Sequence, residues 1–219
     1  MRLIHAICAA LLLLAAPAAA ELARELGWRD LAPGGEAIHD PLAELTSDQK
    51  LDLETIAWAR AERRRGELSE VSQEYEAAVE MADALAGQGL DVDALVEAYE
   101  AFLAAVDAHN QRVDGGLDGQ LVRIPGYALP LEFTGTAVKE FLLVPYFGAC
   151  IHVPPPPPNQ MVFVTLDRPY AITRLFDPVW ITGRMKVERG TRSLSFVDGS
   201  AGLETGYTIS GRKIEPFER

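Results

Sequence analysis

The sequence predicts an α+β protein with about three helices followed by a five-stranded OB-like β-barrel; a small β-sandwich is the alternative to the barrel. Apolar residues recur at helical spacing between residues 46 and 116, whereas apolar and polar residues alternate after residue 117. The strand-like runs are short and contain glycine and proline, which is typical of small, strongly coiled barrels. We therefore expect an acidic helical region over residues 46–116 and a barrel over residues 117–219.

The N-terminus has the pattern of a cleaved secretory signal over residues 1–20. Arg2 precedes an apolar run, and the small residues Ala18–Ala20 end it. We expect cleavage near Ala20, an extended segment over residues 21–45, and a periplasmic or otherwise exported protein. No later apolar run is long enough to span a membrane, so no transmembrane segment is expected in the mature chain.

Charge is distributed unevenly along the chain. Residues 21–116 include 22 acidic and 8 basic side chains, whereas residues 117–219 include 10 acidic and 11 basic side chains. This division predicts two regions with different surfaces. The formal net charge of −12 argues against a nucleic-acid partner, because binding to the phosphate backbone requires an excess of cations.

Three helices are predicted in the acidic region. Thr46 and Gln49 have the spacing of a capping box, so the first helix is predicted over Ser47–Arg65. The second is expected over about Glu70–Ala86, and Asp91 is expected to cap the third. Their apolar residues at helical spacing are expected in the core, including Val71, Val79 and Leu103.

Five strands are predicted in the second region. They are QLVRIPGYALPLEF, AVKEFLLVPYF, MVFVTL, PVWITGRMKVER and GYTISGRKIEPF. In the fourth, Ile181 and Met185 alternate with Trp180 and Arg184, as in a strand with one wet face. The segment before it, where an OB-like barrel usually carries a helix, has room for barely two turns.

The stretch GACIHVPPPPPNQ, Gly148–Gln160, contains Cys150, the one cysteine left after cleavage. If this chain is extended, Cys150 and His152 project on the same side and form half of a zinc or copper site. The other ligands would come from distant histidines or from a second chain, although nothing in the sequence indicates a dimer. Two further interpretations stay open: a buried structural cysteine, and a reactive thiol that lacks a second cysteine or an orienting third group.

Five consecutive prolines form a polyproline II rod of about 15 Å that cannot continue a strand ladder. The rod either packs on the protein's own aromatic residues or is displayed to an aromatic groove of a partner, and we favour packing. Asn159 and Gln160 offer amides that can hold its end in place. The candidate ligand-binding residues are therefore Cys150, His152, Tyr146, Asn159, Gln160 and Trp180.

The segments GYALPLEF and EFLLVPYFGACIHVPPPPPNQ resemble a family of exported bacterial proteins catalogued as domain of unknown function 3299. The resemblance implies an exported bacterial protein from a family without an established activity. It also implies relatives whose genes sometimes lie next to genes for ABC-type transport components or next to metal-responsive genes. We expect a non-enzymatic binding or accessory protein of the cell envelope, with an envelope protein or transport component as partner. The alternative is a metal-binding or metal-trafficking protein that uses Cys150 and His152. An enzyme is the least favoured class, because no hydrolase, phosphate-loop or dinucleotide motif is present.

Overall fold

A computed structural model describes residues 21–35, 37–131, 137–151, 153–172, 174–196 and 199–217. The predicted signal peptide, residues 1–20, lies outside the described residues. Three helices precede five of the six strands of a mixed sheet, which confirms the α+β class and the order of the two regions. The helices are α1 (Ser47–Arg65), α2 (Gln73–Gly87) and α3 (Val92–Asn110). The strands are β1 (Arg24–Glu25), β2 (Leu121–Pro130), β3 (Ala137–Val144), β4 (Val162–Ala171), β5 (Asp177–Phe196) and β6 (Gly199–Pro216).

Helix α1 has the predicted bounds because both of its ends are determined locally. The Thr46 hydroxyl accepts a hydrogen bond from the Gln49 backbone N–H at 3.3 Å, and the Gln49 side chain accepts one from the Thr46 N–H at 3.0 Å. Gly66 ends the helix in the left-handed region at φ 81°. These are the capping box and terminal glycine that the sequence predicts.

Helix α2 begins later than predicted, because Ser72 caps it by accepting a hydrogen bond from the Tyr75 backbone N–H. Val71 therefore precedes the helix and is 82% exposed. The expectation that Val71, Val79 and Leu103 lie in the core is wrong, since all three are exposed. The helical core includes α3 only as far as Tyr99; after it Leu103 is exposed, and Phe102 and Val106 are half-buried.

The sheet contains the five predicted strands and one more, the two-residue β1. Strand β2 pairs antiparallel with β3 and also with β5, and β1 pairs parallel with it. The remaining pairs are β3–β4 and β5–β6, which are antiparallel, and β4–β6, which is parallel. The fully buried residues of the largest sheet cluster include Val122, Ile124, Phe141, Val164, Ile181, Met185, Tyr207 and Ile209.

Strands β5 and β6 are longer than predicted and form one extended hairpin. The sequence suggests an end near Arg189 and a start near Gly206, because glycines interrupt the apolar alternation between them. The ladder nevertheless continues from Gly190 to Phe196 after a register shift that follows Val187. A β-bulge allows the pairing to resume beyond the interruption. No helix within the described residues is long and apolar enough to cross a membrane.

A buried polar junction joins the helical region, the N-terminal segment and the sheet. The hydroxyl of Tyr207, a fully buried residue, donates a hydrogen bond to the Leu31 carbonyl and accepts one from the Asp114 backbone N–H at 2.6 Å. Beside it, the Asn159 side-chain amide donates to the His109 carbonyl at 3.0 Å, close to the end of α3. The Gln160 amide donates to the Trp28 carbonyl at 2.8 Å. We refer to these contacts of Tyr207, Asn159 and Gln160 as the polar junction.

Replacing Tyr207 with phenylalanine is expected to lower the free energy of unfolding by about 2 kcal/mol, because it leaves a buried N–H and a buried carbonyl without their partner. Chemical denaturation monitored by circular dichroism measures the change. The matched control is Tyr75→Phe, whose hydroxyl makes no hydrogen bond with the described residues and which should change stability by less than about 0.5 kcal/mol. Equal effects of the two substitutions would contradict the role given to the Tyr207 hydroxyl.

Candidate functional site

The chain turns sharply after β3 instead of continuing as a strand. The Gly148 carbonyl accepts hydrogen bonds from the backbone N–H groups of Ile151 and Val153, each at 3.3 Å. Gly148 and Cys150 both have positive φ, 85° and 70°. The expectation of an extended chain that projects Cys150 and His152 on one side is therefore wrong for the described part of this segment. His152 itself lies outside the described residues.

The thiol of Cys150 packs against apolar groups. Cys150 is half-buried, and its Sγ lies 4.0 Å from the Sδ of the buried Met161. Burial raises the pKa of the Cys150 thiol from 9.0 to about 11. Nucleophilic attack and metal binding both require the thiolate, and the raised pKa disfavours it at neutral pH. Within the described ranges, no three histidine, cysteine or carboxylate side chains lie close enough together to hold a metal ion.

The proline run is held against the protein along part of its length. The Tyr146 hydroxyl donates a hydrogen bond to the Pro154 carbonyl at 3.2 Å. Burial, and secondarily the neighbouring Cys150, raise the pKa of the Tyr146 hydroxyl. Pro156 is buried, whereas Pro154 and Pro155 are exposed. The rod is thus packed at its centre and solvent-facing where it begins.

The remaining predicted site residues lie elsewhere. The Asn159 and Gln160 amides are used inside the polar junction, as the sequence suggests they could be. Trp180 projects from β5, where the Arg123 guanidinium lies 3.9 Å from its ring centroid and the Phe217 ring packs edge-on at 5.5 Å. The structure therefore brings Tyr146 and Cys150 together and separates both from the contacts of Trp180.

A cluster of three aromatic rings, which the sequence did not single out as a site, lies beside this turn: Phe147 is exposed, Tyr127 is half-buried and Phe176 is buried. The rings of Phe147 and Phe176 lie 5.2 Å apart, and Tyr127 packs edge-on against Phe147 at 6.2 Å. Phe147 is 63% exposed and Leu175 is 43% exposed. We call Tyr127, Phe147, Leu175 and Phe176 the aromatic shelf. These residues, with Arg174 and Pro178, line an open pocket of about 360 Å³.

Backbone strain is concentrated at the edges of this shelf. Cys150 and Phe176 are the two non-glycine residues with positive φ in the described part of the chain, at 70° and 60°. Each such conformation costs about 1–2 kcal/mol and persists only where the surrounding structure holds it. Strained residues of this kind cluster at functional sites. Both turns that carry the shelf are thus held in unusual conformations.

One cation borders the shelf in a fixed position. The Arg174 backbone N–H and its Nε donate to the two carboxylate oxygens of Asp177 at 3.3 and 3.2 Å. Asp177 is buried, whereas the Arg174 side chain is 77% exposed. The carboxylate therefore orients a guanidinium that still faces solvent. This arrangement places a positive charge next to an apolar surface.

The pKa of Cys150 leads to a prediction for its reactivity. At pH 8 the folded protein should react with a thiol reagent about 100-fold more slowly than the denatured protein, because a pKa two units higher reduces the thiolate fraction by that factor. The rate should keep rising until about pH 11. Stopped-flow measurements with an alkylating reagent across pH 7–11 give the profile. A plateau below pH 9 would show that burial does not protect the thiolate.

Comparisons with known proteins place the chain in a family. The protein-family model described as "Protein of unknown function (DUF3299)" matches residues 28–216, a range that includes the helical region. A crystal structure of a DUF3299 family protein from Pseudomonas aeruginosa PAO1 is 30% identical in sequence, with a TM-score of 0.47, and the match covers 90% of this chain and 98% of that one. No curated protein matches the sequence. As the proline motif predicts, this chain belongs to the DUF3299 family.

Proposed function

We propose that the chain is an exported, non-enzymatic binding module of the bacterial envelope and that a protein partner docks on the aromatic shelf. The observation that carries this proposal is the exposure of Phe147 and Leu175 in two turns, each of which contains a non-glycine residue with positive φ. Four of the ten large apolar residues exposed in the described structure come from these turns: Tyr146, Phe147, Val153 and Leu175. A concentration of exposed apolar surface favours an interaction site over chance exposure. The signal-like residues 1–20 support export.

We also propose that strands β2 to β6 form an OB-like barrel. The support is the order of pairing, in which β2 pairs with β3, β3 with β4, β4 with β6, β6 with β5, and β5 again with β2. A single parallel pair, β4–β6, within an otherwise antiparallel circuit is compatible with a Greek-key barrel of five strands. Tyr127 on β2 and Pro178 on β5 then place the shelf where these two strands meet.

The chemistry of the shelf defines the partner segment. Rigid aromatic rings bury a large area with little loss of side-chain entropy, and they dominate the energetics of many interfaces. Arg174 is already oriented by Asp177, so little further ordering is needed to form a charge-assisted hydrogen bond. We therefore infer an extended apolar segment of a protein that carries a carboxylate in reach of Arg174.

Site-specific photo-crosslinking in the producing bacterium tests the shelf. A photoreactive phenylalanine analogue at Phe147 or at Leu175 should give the same adduct, because both residues line one pocket. The same analogue at Val71 is the matched control, since Val71 is exposed in the helical region. Introducing Arg174→Glu should abolish the adduct by replacing the attractive charge with a repulsive one. An adduct that forms equally from Val71, or that survives Arg174→Glu, would contradict docking on the shelf.

Metal binding by Cys150 and His152 stays a second candidate because of one observation. The Cys150 and Met161 sulfur atoms lie 4.0 Å apart, and thiolate and thioether ligands suit copper(I). Because the raised pKa of Cys150 opposes ionisation, binding should weaken as the pH falls.

Copper and zinc analysis of untagged protein after incubation with each metal and dialysis tests this candidate. If the site binds metal, the wild-type protein retains about one copper ion per chain, and Cys150→Ala, His152→Ala and Met161→Leu each lower the retained amount at least tenfold. Equally low metal content in all four proteins would remove the metal-binding candidate. That result would leave the shelf proposal intact.

A further inference from the structure

Two register shifts of the sheet lie next to each other, where the pairing of β4 with β6 ends. Along β3 and β4 the pairing passes from Val138 with Tyr170 to Glu140 with Thr165, so residues 166–169 of β4 have no partner in β3. Along β5 and β6 the register also shifts, and Arg212 is the extra residue of β6. Bulges re-aim side chains and are over-represented near functional sites.

The two bulges meet because β4 and β6 are neighbours. Their parallel pairing ends at Leu166 and Gly211, directly before both bulges. Gly211 permits this close approach, because a Cβ there would lie 2.7 Å from the Leu166 Cδ2 atom. Beyond this point the strands border an open pocket of about 390 Å³ that shares no lining residue with the aromatic shelf. Its charged lining residues are Asp167, Arg168, Arg212 and Lys213.

The arginines of this pocket differ from most others in the molecule. The side chains of Arg168 and Arg212 are exposed and form no ion pair or hydrogen bond with any described residue. By contrast, Lys213 already has a partner, because its Nζ lies 2.8 Å from a carboxylate oxygen of Glu215. Two unpaired guanidinium groups thus line one pocket of a protein whose formal net charge is −12.

We propose that this pocket binds a phosphate group, presented either by a soluble phosphate compound or by an anionic lipid headgroup. Guanidinium groups match the geometry of phosphate oxygens and donate paired, charge-assisted hydrogen bonds to them. Because Glu215 balances the charge of Lys213, the two unpaired guanidinium groups and the single lining carboxylate of Asp167 leave a net charge of +1, which suits an anion. Its open mouth admits a group attached to a larger molecule.

Isothermal titration with inorganic phosphate and pyrophosphate at low ionic strength tests the soluble source. The wild-type protein should bind pyrophosphate more tightly than phosphate, and each of Arg168→Gln and Arg212→Gln should weaken binding about tenfold through loss of a charge-assisted hydrogen bond. Both side chains are exposed, so the folded state should persist, and the thermal unfolding midpoint without ligand checks this. The charge-matched control Arg29→Gln/Arg65→Gln, outside the pocket, should bind like the wild type.

Flotation with vesicles distinguishes the lipid source. Vesicles of phosphatidylglycerol should carry the wild-type protein, but not the Arg168→Gln/Arg212→Gln protein, if the ligand is a headgroup, and vesicles of phosphatidylcholine should carry neither. Binding of soluble phosphates without vesicle binding would support the proposal and assign the soluble source. The proposal is overturned if the wild-type protein binds none of the anionic probes, or if the double variant binds them as the wild type does.

Discussion

The two hydrogen bonds of the buried Tyr207 hydroxyl hold the helical region, the N-terminal segment and the sheet together. The hydroxyl bonds to the carbonyl of Leu31 and to the N–H of Asp114, so three segments that are distant in the sequence meet at one side chain. Gly206 makes the meeting possible, because a Cβ there would lie 3.0 Å from the Pro158 carbonyl oxygen. A buried polar group costs free energy unless it is hydrogen-bonded. The Tyr207 hydroxyl meets this requirement with two bonds, whereas the Asn159 Oδ1 atom is buried without a partner among the described residues.

The proline motif has a different role at each end. Its C-terminal end, Asn159 and Gln160, binds the last turn of α3 and the N-terminal segment through side-chain amides. Its N-terminal end begins in the turn that leaves Cys150 half-buried and Phe147 exposed. Because the five prolines have restricted φ angles and form a stiff rod, fixing one end of the run also restricts the position of the other end. The proline motif first suggests a chemical role for the Cys150 thiol. We infer instead that it holds the neighbouring aromatic shelf in a rigid position.

Sequence reasoning succeeded where the determinants were local. The bounds of α1 follow from Thr46, Gln49 and Gly66, and the buried face of β5 follows from simple alternation. It failed where distant pairings decide the outcome. Phe147 and Phe176 meet only because β3 and β5 both pair with β2, and the bulge at Arg212 depends on the partner strand as much as on its own residues. The turn at Cys150 requires this residue to adopt a left-handed backbone conformation, which is unfavourable for residues other than glycine.

Native-state hydrogen exchange at the Asp114 amide tests the central role of the polar junction most directly. We expect this amide, which donates to the Tyr207 hydroxyl, to exchange only through global unfolding, with the same free energy as the central amides of β5 and β6. The amides of Tyr146 and Phe147, before the turn, should exchange through local opening at lower free energy. Exchange of the Asp114 amide as fast as that of Tyr146 and Phe147 would contradict a central role for the polar junction.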